Sequence, residues 1–310
     1  MTLTQASMQT VLDASVRRAR QAAEQGMVSR QIPELAVVPR DRMAMSVATV
    51  EGELFAVGDS DEPFSLQSIT KLFALAALLR LDSHAWDKVG WDPTSSGYGS
   101  VAELERHSGR PRNPFVNSGA LVVTDRLHAL TSDAARRTAE LIARGSDGDS
   151  GRDSGGDSVA IDPRMAASEA LADHRNAAIA HVLAEHGRLQ TPIAELLEQY
   201  FSQCAITATT TDLARASLFL ASRDAEVLDA ASIRRVNAVL LTAGMYGAAG
   251  EIAYRVGLPA KSGIGGGIVA VMPGRGVVAV WSPPLDGQGS SCGGVAALEE
   301  FTRLSGWSVF

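Results

Sequence analysis

Hydrophobic and polar positions follow two different patterns along this chain, one near its ends and one in its middle. Short apolar runs flank a glycine-containing turn at residues 43–57 and again at residues 268–281. Paired runs of this kind predict two β-hairpins. Elsewhere, apolar residues recur at helical spacing. This spacing predicts helices near residues 5–25, 68–81, 117–130, 133–143, 166–187, 192–202, 209–222, 231–243 and 295–304.

Strands near both ends with helices between them predict an α+β fold, in which one antiparallel sheet is built from the two chain ends. We therefore interpret residues 1–310 as a single domain of two lobes. The helical lobe covers roughly residues 66–257. The sheet lobe covers roughly residues 30–65 plus 258–310. Binding clefts commonly form between lobes of this kind, so we expect the functional site at their junction.

Composition narrows the class of protein. The 310 residues are 45% hydrophobic and 20% charged with a net charge of −7, which is typical of a globular protein and argues against a general nucleic-acid binder. Two cysteines, Cys204 and Cys292, are too few for a disulfide scaffold and predict reduced thiols in a cytoplasmic protein. The start of the chain lacks the apolar segment of a secretory signal, and no apolar run reaches membrane-spanning length. We expect no membrane partner.

The segment 145–158 consists of Gly, Ser and Asp apart from Arg152. Its aspartates invite comparison with a calcium-binding loop. However, Gly151 stands at the fifth ligand position, and Ser158 replaces the terminal glutamate of an EF-hand. Such a composition buries little apolar surface, so it predicts a flexible surface loop. The six histidines form no i,i+4 pair, and we predict neither a metal nor an organic cofactor.

Ser68 and Lys71 form an S-x-x-K element at the start of a strongly apolar predicted helix. Residues three apart on a helix share a face, so Lys71 is expected beside Ser68. A serine hydroxyl becomes a useful nucleophile when a base takes its proton, and burial can lower the pKa of a lysine enough for that role. The alternative is a helix-capping serine followed by an incidental lysine.

A second element, Lys261-Ser262-Gly263, precedes a glycine-rich run and the second hairpin. In serine acyl-transfer enzymes with S-x-x-K, a K-[ST]-G element lies on an edge strand that faces the nucleophile. There its lysine adds positive potential, and the backbone N–H after the glycine, here that of Ile264, can form half of an oxyanion hole with the N–H of Ser68. The alternative is a glycine-rich turn into a buried strand.

Two lobes with these two elements resemble the penicillin-recognising serine hydrolases, which have a β-lactamase-like fold. Finer motifs resemble the serine-dependent glutaminases, and the resemblance runs from about residue 30 to the C-terminus. The matching segments, in the family's order, are Phe64 to Lys71, Asn113 to Ala120 (N-P-x-x-N-[AS]-G-A), Ser168-Glu169 with Asn176, Tyr200 with Cys204, Gly244-Met245-Tyr246, and Gly257 to Gly263.

The resemblance implies that Ser68 is the nucleophile and Lys71 its activating partner, with Tyr200 and Lys261 near enough to relay a proton. Whether Lys71 or Tyr200 is the general base stays open. It also implies a glutamine site lined by Ser68, Asn117, Glu169, Asn176, Tyr200, Tyr246 and the main chain at Ile264. Physical chemistry agrees that Glu169 suits the substrate ammonium, while the amides and tyrosine hydroxyls suit its carboxylate and side-chain amide. Taken singly, Glu169 is better explained as a solvated carboxylate, Asn117 as a helix cap, and Tyr200 and Tyr246 as packing residues; only the joint pattern favours a site.

The predicted function is that of a glutaminase: hydrolysis of L-glutamine to L-glutamate and ammonia through a serine-linked glutamyl-enzyme, without a cofactor. Family resemblance also implies a homo-oligomer. One alternative is a penicillin-binding or β-lactamase-type hydrolase, for which a clear S-x-N element is missing. Another is a silent glutamine sensor, which would not need Ser68 and Lys71. Residues 97–100 and 287–291 depart from the family's usual segments, and these departures bear on rim contacts more than on the reaction.

Overall fold

The computed structural model describes residues 5–146, 158–222 and 226–310. Residues 147–157, which make up most of the Gly/Ser/Asp segment 145–158, lie outside the described residues. The prediction of a flexible loop there, and the calcium-loop alternative, therefore stay as predictions.

Helices fill most of the middle of the described chain, and the longer strands lie towards its two ends. The helices are α1 Gln5–Ala23, α2 Pro33–Ala36, α3 Thr70–Leu79, α4 Ala85–Val89, α5 Val101–Arg106, α6 Asn117–Thr131, α7 Ala134–Ser146, α8 Pro163–Ala172, α9 His174–Glu185, α10 Ile193–Cys204, α11 Thr210–Ala216, α12 Ala230–Ala243, α13 Ala249–Arg255 and α14 Cys292–Ser305. The strands are β1 Met27–Val28, β2 Ala44–Thr49, β3 Leu54–Gly58, β4 Phe64–Ser65, β5 Ala160–Ile161, β6 Ile206–Ala208, β7 Ala260–Ser262, β8 Gly267–Met272, β9 Gly276–Trp281 and β10 Pro284–Leu285. Within these ranges, no helix combines the length and the apolar character needed to cross a bilayer.

The central sheet has five antiparallel strands in the order β3-β2-β9-β8-β7. Both predicted hairpins are confirmed, with Val47 opposite Phe55 in the first and Ala270 opposite Val278 in the second. The two hairpins join where β2 pairs with β9, so the sheet is built from both ends of the chain. The α+β class predicted from the sequence is therefore confirmed.

Both faces of this sheet are covered, which explains why its strands are apolar without alternation. Val277, Ala279 and Trp281 of β9 belong to one buried cluster, shared with α3, α6 and α10. Val278 and Val280 belong to a second cluster, shared with α1 and α14. Successive side chains of a strand point to opposite faces, so a strand buried on both sides is apolar at every position.

Helix α3 lies inside the helical part of the molecule, and all ten of its residues are buried. One sequence prediction is wrong here: residues 166–187 do not form a single helix. The chain breaks at Asp173, which has φ −97° and ψ 68°. Its side chain accepts a hydrogen bond from the Asn176 N–H and so caps α9. Such capping favours a new helix start over continuation of the preceding helix.

Candidate active site

Ser68 lies in a single turn of 3₁₀ helix, Gln67–Ile69, that leads from β4 into α3. Every residue from Phe64 to Leu79 is buried except Ser68, which is partly exposed. The strand that precedes this turn, β4, is held in place by its pairing with β6. A hydroxyl is therefore presented to solvent from an otherwise buried and rigid segment.

Lys71 lies one turn further along, in the first turn of α3, and is 3% exposed. Its Nζ donates to Asn117 Oδ1 at 2.7 Å, to the Phe115 carbonyl at 3.3 Å and to the Tyr246 hydroxyl at 3.5 Å. Burial lowers the pKa of Lys71 to about 8, because removal from water disfavours the charged amine. A substantial fraction of Lys71 is therefore neutral in mildly alkaline solution.

A chain of side-chain amides extends from Lys71 across the site. The N-cap residue of α6 is Val116, and Asn117 is the first residue inside the helix. Its Nδ2 donates to Asn176 Oδ1 at 2.9 Å, and Asn176 Nδ2 donates to the Asp173 carboxylate. The break between α8 and α9 thus fixes the orientation of Asn176, and Asn176 in turn fixes that of Asn117.

Glu169 of α8 is 5% exposed and points into the site. Burial raises the pKa of its carboxyl to about 7, and a hydrogen bond from Gln67 opposes that shift. Gln67 Nε2 donates to Glu169 Oε1 at 2.7 Å. A buried carboxylate of this kind suits a bound cation, because pairing offsets the cost of desolvating the charge.

Lys261 of the edge strand β7 is fully buried. Its Nζ donates to the Tyr246 hydroxyl at 3.0 Å and to the Ser262 carbonyl at 2.7 Å. Burial and the nearby charge of Lys71 hold the pKa of Lys261 well below its ordinary value. The Ser68 side chain also approaches the Tyr246 hydroxyl closely enough to oppose the effect of burial on the pKa of this phenol. One phenol therefore links the serine to both lysines.

Tyr200 lies elsewhere in the same site. Lys71 Nζ is 6.0 Å from its ring centroid, and its hydroxyl hydrogen-bonds to the Cys204 thiol. In the described part of the chain, no hydrogen bond joins Tyr200 to Ser68 or to either lysine. Burial, followed by the charge of Glu169, raises the pKa of the Cys204 thiol well above its ordinary value, so Cys204 is a protonated wall residue. Cys204 and Cys292 are both free, in line with the sequence prediction.

The backbone at Ile264 approaches the nucleophile turn closely because glycines flank it. A Cβ added to Gly263 would lie 2.4 Å from the Leu66 carbonyl oxygen, and one added to Gly265 would lie 2.4 Å from that of Ser65. Only glycine permits such a contact. Among the described residues, the N–H groups of Ser68 and Ile264 donate to no backbone carbonyl. Two free donors next to one serine hydroxyl can bind an oxyanion.

A cavity of about 670 Å³ opens over Ser68. Seven predicted site residues line it: Ser68, Asn117, Glu169, Asn176, Tyr200, Tyr246 and Ile264. The two remaining ones, Lys71 and Lys261, are buried behind this wall and reach it through Tyr246. No group of three or more metal-ligating side chains occurs in the described residues.

Sequence reasoning missed several wall residues, namely Gln67, Tyr98, Asp173, Arg175 and the segment 288–290. Tyr98 packs on Tyr246 with ring centroids 5.1 Å apart. It belongs to residues 97–100, which depart from the family's usual segment. Asp173 had a usable signal, because an aspartate three residues before Asn176 is a typical helix N-cap. Arg175 had no such signal.

A partly exposed serine at the start of a buried helix, with one lysine on that helix and another on a facing edge strand, is the arrangement of S-x-x-K serine hydrolases. Together with a sheet built from both chain ends, it defines the class of proteins with a β-lactamase-like fold. Residues 26–310 match the model of the Glutaminase family. The chain belongs to the glutaminase family.

Individual relatives agree with this assignment. A glutaminase of Streptomyces coelicolor is 44% identical over 313 residues, which span 99% of each chain. A glutaminase of Aeromonas hydrophila is 44% identical over 294 residues, covering 92% of this chain and 94% of that protein. The solved structure named "Probable glutaminase ybaS" superposes with a TM-score of 0.90 at 33% identity over 99% of both chains. The structure of Mglu in its glutamate form gives a TM-score of 0.85 at 31% identity, over 96% of this chain and 69% of that one. The predicted family and β-lactamase-like fold class are confirmed.

Proposed function

We propose that this chain hydrolyses L-glutamine to L-glutamate and ammonia through a glutamyl ester on Ser68. Membership of the glutaminase family identifies an amidohydrolase that acts on glutamine. The observation that carries the role of Ser68 is its position beside Tyr246, whose hydroxyl accepts hydrogen bonds from Lys71 and Lys261. The partial exposure of Ser68 within a buried segment supports the same role.

In the first half-reaction, the Ser68 oxygen attacks the side-chain amide carbon of glutamine. The serine proton passes through the Tyr246 hydroxyl to the neutral amine of Lys71, whose pKa near 8 suits a base. The N–H groups of Ser68 and Ile264 stabilise the oxyanion. Lys71 then returns its proton to the leaving nitrogen, the C–N bond breaks, and ammonia departs.

In the second half-reaction, water attacks the ester carbon and gives its proton along the same route. The ester C–O bond then breaks, Ser68 recovers its proton, and glutamate is released. Lys261 keeps a positive potential near this route whenever it is protonated, and it orients the Tyr246 hydroxyl in either state through the 3.0 Å hydrogen bond. We assign the relay to Tyr246 and give Tyr200 a substrate-binding role, because Tyr200 pairs with Cys204.

For substrate recognition, we propose that the Glu169 carboxylate binds the α-ammonium group. Asn117 and Asn176 bind the polar groups of glutamine, since each has an amide that faces the cavity. Tyr200 and Tyr246 complete the wall.

Neither alternative activity gains support. A penicillin-type hydrolase is not favoured, because the family assignment covers residues 26–310 and points to glutamine. A silent sensor would have no need for buried lysines joined to a serine through one hydroxyl. The decisive experiment is ammonia release from glutamine by the purified protein beside Ser68→Ala. Equal release by both would reject Ser68 as the nucleophile, and no release by either would reject the activity.

We also propose that the two lobes act as one catalytic unit, and that copies of the chain associate into a homo-oligomer in the cytoplasm. A single catalytic unit is supported by a cavity whose wall includes Asn117 of α6 and Glu169 of α8 on one side and Ser262 of β7 on the other. Association is supported by the largely exposed aromatic side chains of Tyr254 and Phe310. Light scattering on the purified protein, with Tyr254→Ser as a variant, tests association.

A further inference from the structure

Gln67, directly before the nucleophile, has an unusual backbone conformation. Its φ is +49°, in the left-handed region that non-glycine residues seldom adopt. The Thr70 hydroxyl donates to the Gln67 carbonyl at 2.8 Å and so holds the turn closed. A conformation of this kind persists only where surrounding contacts over-determine it, and such residues cluster at functional sites.

The side chain of Gln67 supplies those contacts. It is 3% exposed, and its Nε2 donates to Ser65 Oγ at 3.0 Å as well as to Glu169 Oε1 at 2.7 Å. Both amide protons are therefore engaged within the protein. Ser65 Oγ in turn donates to the Cys204 carbonyl at 3.3 Å. The amide thus ties the nucleophile turn to α8 and to the end of α10.

The backbone of residues 263–265, which carries the Ile264 N–H, packs on the same residue. A Cβ on Gly263 would lie 3.2 Å from Gln67 Cβ, and one on Gly265 would lie 3.7 Å from Gln67 Cγ. Gln67 therefore contacts three parts of the site at once: the turn that carries Ser68, the helix that carries Glu169 and the backbone that carries the Ile264 N–H.

We propose that Gln67 is a positioning residue that keeps the Glu169 carboxylate oriented and charged for the substrate ammonium while its backbone presents Ser68 to the scissile amide. This inference rests on the roles proposed above for Ser68 and Glu169. It adds that ammonium recognition and the nucleophile are mechanically joined through one buried amide, so a substrate anchored at Glu169 is in register with Ser68.

The charge environment of Glu169 explains why an amide is needed. Burial favours the protonated carboxyl, and Asp173 adds to that effect, whereas Gln67 opposes it. The titratable groups that face Glu169 are Lys71 on α3, Asp173 before α9, and Tyr200 and Cys204 on α10, with Glu34 of α2 bonded to the adjacent Ser168. Lys71 is the only cation in this set, and it is partly neutral near pH 8. Loss of the Gln67 hydrogen bond would therefore raise the pKa of Glu169 further.

The test compares Gln67→Gly with Gln67→Asn in the full chain. Glycine accepts positive φ and removes the whole side chain, which includes the amide and the Cβ and Cγ that face Gly263 and Gly265. Asparagine also tolerates positive φ, but its amide is one methylene too short to reach Glu169. We expect kcat/KM for glutamine at pH 7 to fall by about tenfold to hundredfold in both, since hydrogen bonds to charged groups are of that size. The acid limb of kcat/KM should move to higher pH, and activity should partly recover as pH rises. Glutaramic acid, which lacks the α-amino group, should lose less.

Gln203→Ala is the matched control. Gln203 is also a buried glutamine, 2% exposed, and its amide bonds to Thr124, Thr138 and the Ala134 carbonyl away from the cavity. It should lower thermal stability without moving the acid limb. The proposal would be overturned if the acid limb of kcat/KM stayed at the wild-type pH in both Gln67 variants. It would also be overturned if kcat/KM fell equally for glutamine and glutaramic acid. If the proposed function itself were wrong, the wild-type protein would release no ammonia from glutamine, and this result differs from every outcome of the Gln67 variants.

Discussion

The Tyr246 hydroxyl accepts a 3.0 Å hydrogen bond from the Nζ of Lys261, a residue from a separate strand that is fully buried. Tyr246 has φ +54°, so its backbone is held in the left-handed region while its hydroxyl meets both lysines and Ser68. Burial raises the pKa of Tyr246 well above its ordinary value. The phenol therefore stays protonated, so it can relay a proton only by accepting one from a neighbour while it donates its own to another.

Tyr246→Phe should separate proton relay from packing. Phenylalanine keeps the ring and its contact with Tyr98 but removes the hydroxyl. We expect kcat to fall by roughly 10²-fold to 10⁴-fold, the usual contribution of a positioned proton-transfer group, with a small change in KM. Tyr254→Phe, at a 91% exposed position outside the cavity, is the matched control; it keeps the aromatic ring proposed for association and should turn over glutamine as the wild type does. Unchanged kcat in Tyr246→Phe would remove this hydroxyl from the mechanism.

Ser68→Ala should leave the fold intact and lower turnover by about three orders of magnitude or more, because a covalent route is lost. A glutamine analogue with an electrophilic side-chain carbonyl should add one label to the wild-type chain at Ser68. Peptide mass spectrometry locates that label. Modification of Cys204 in its place would contradict the serine assignment, and the raised pKa of its thiol argues against that result.

The pH dependence of kcat should follow Lys71. Its pKa is lowered from the ordinary value of 10.5 to about 8, so the amine is protonated below that pH and neutral above it. A base must be neutral, so kcat should rise as pH increases through about 8. Lys71→Arg stays charged throughout and should be nearly inactive. Steady-state rates measured from about pH 6 to pH 10, roughly two pH units on either side of this pKa, test both effects. A flat profile, or an active arginine variant, would exclude Lys71 as the base.

Glu169→Gln keeps the side-chain shape and removes its charge. Breaking one partner of a desolvated ion pair costs about 3–5 kcal/mol, which is two to three decades or more in kcat/KM for glutamine. In the wild type, kcat/KM should rise with pH through about 7, since the carboxylate form binds the ammonium and low pH removes it. With glutaramic acid, we expect no loss of kcat/KM in Glu169→Gln and no rise of kcat/KM through about pH 7 in the wild type. Equal losses for both substrates would mean that Glu169 is structural.

Gly263→Ala tests the backbone approach at the oxyanion donors. The added methyl would lie 2.4 Å from the Leu66 carbonyl oxygen, so the strand end or the nucleophile turn must shift. Displacing one donor should lower kcat by about 10²-fold to 10³-fold. Gly250→Ala in α13 is the control, because nothing lies within 4 Å of its added methyl. Wild-type turnover in Gly263→Ala would show that the Ile264 N–H does not bind the oxyanion.

Local features of the chain were readable from the sequence because they depend on neighbours in the chain. The hairpins at β2-β3 and β8-β9 follow from apolar runs around glycine turns, and their bounds differ from the prediction by at most one residue. The position of Lys71 one turn after Ser68 follows from helical spacing. The family follows from motifs in a fixed order, and these also named the seven cavity-lining residues that the structure brings together.

Contacts between distant segments were decided only by the tertiary structure. The meeting of Lys71, Tyr246 and Lys261 needs α3, the turn before α13 and β7 to pack together, and no spacing along the chain encodes that distance. The bond from Gln67 to Glu169 crosses 102 positions in the same way. The pKa values near 8 and 7 for Lys71 and Glu169 arise from burial, which desolvates a charge only after the fold has closed around it.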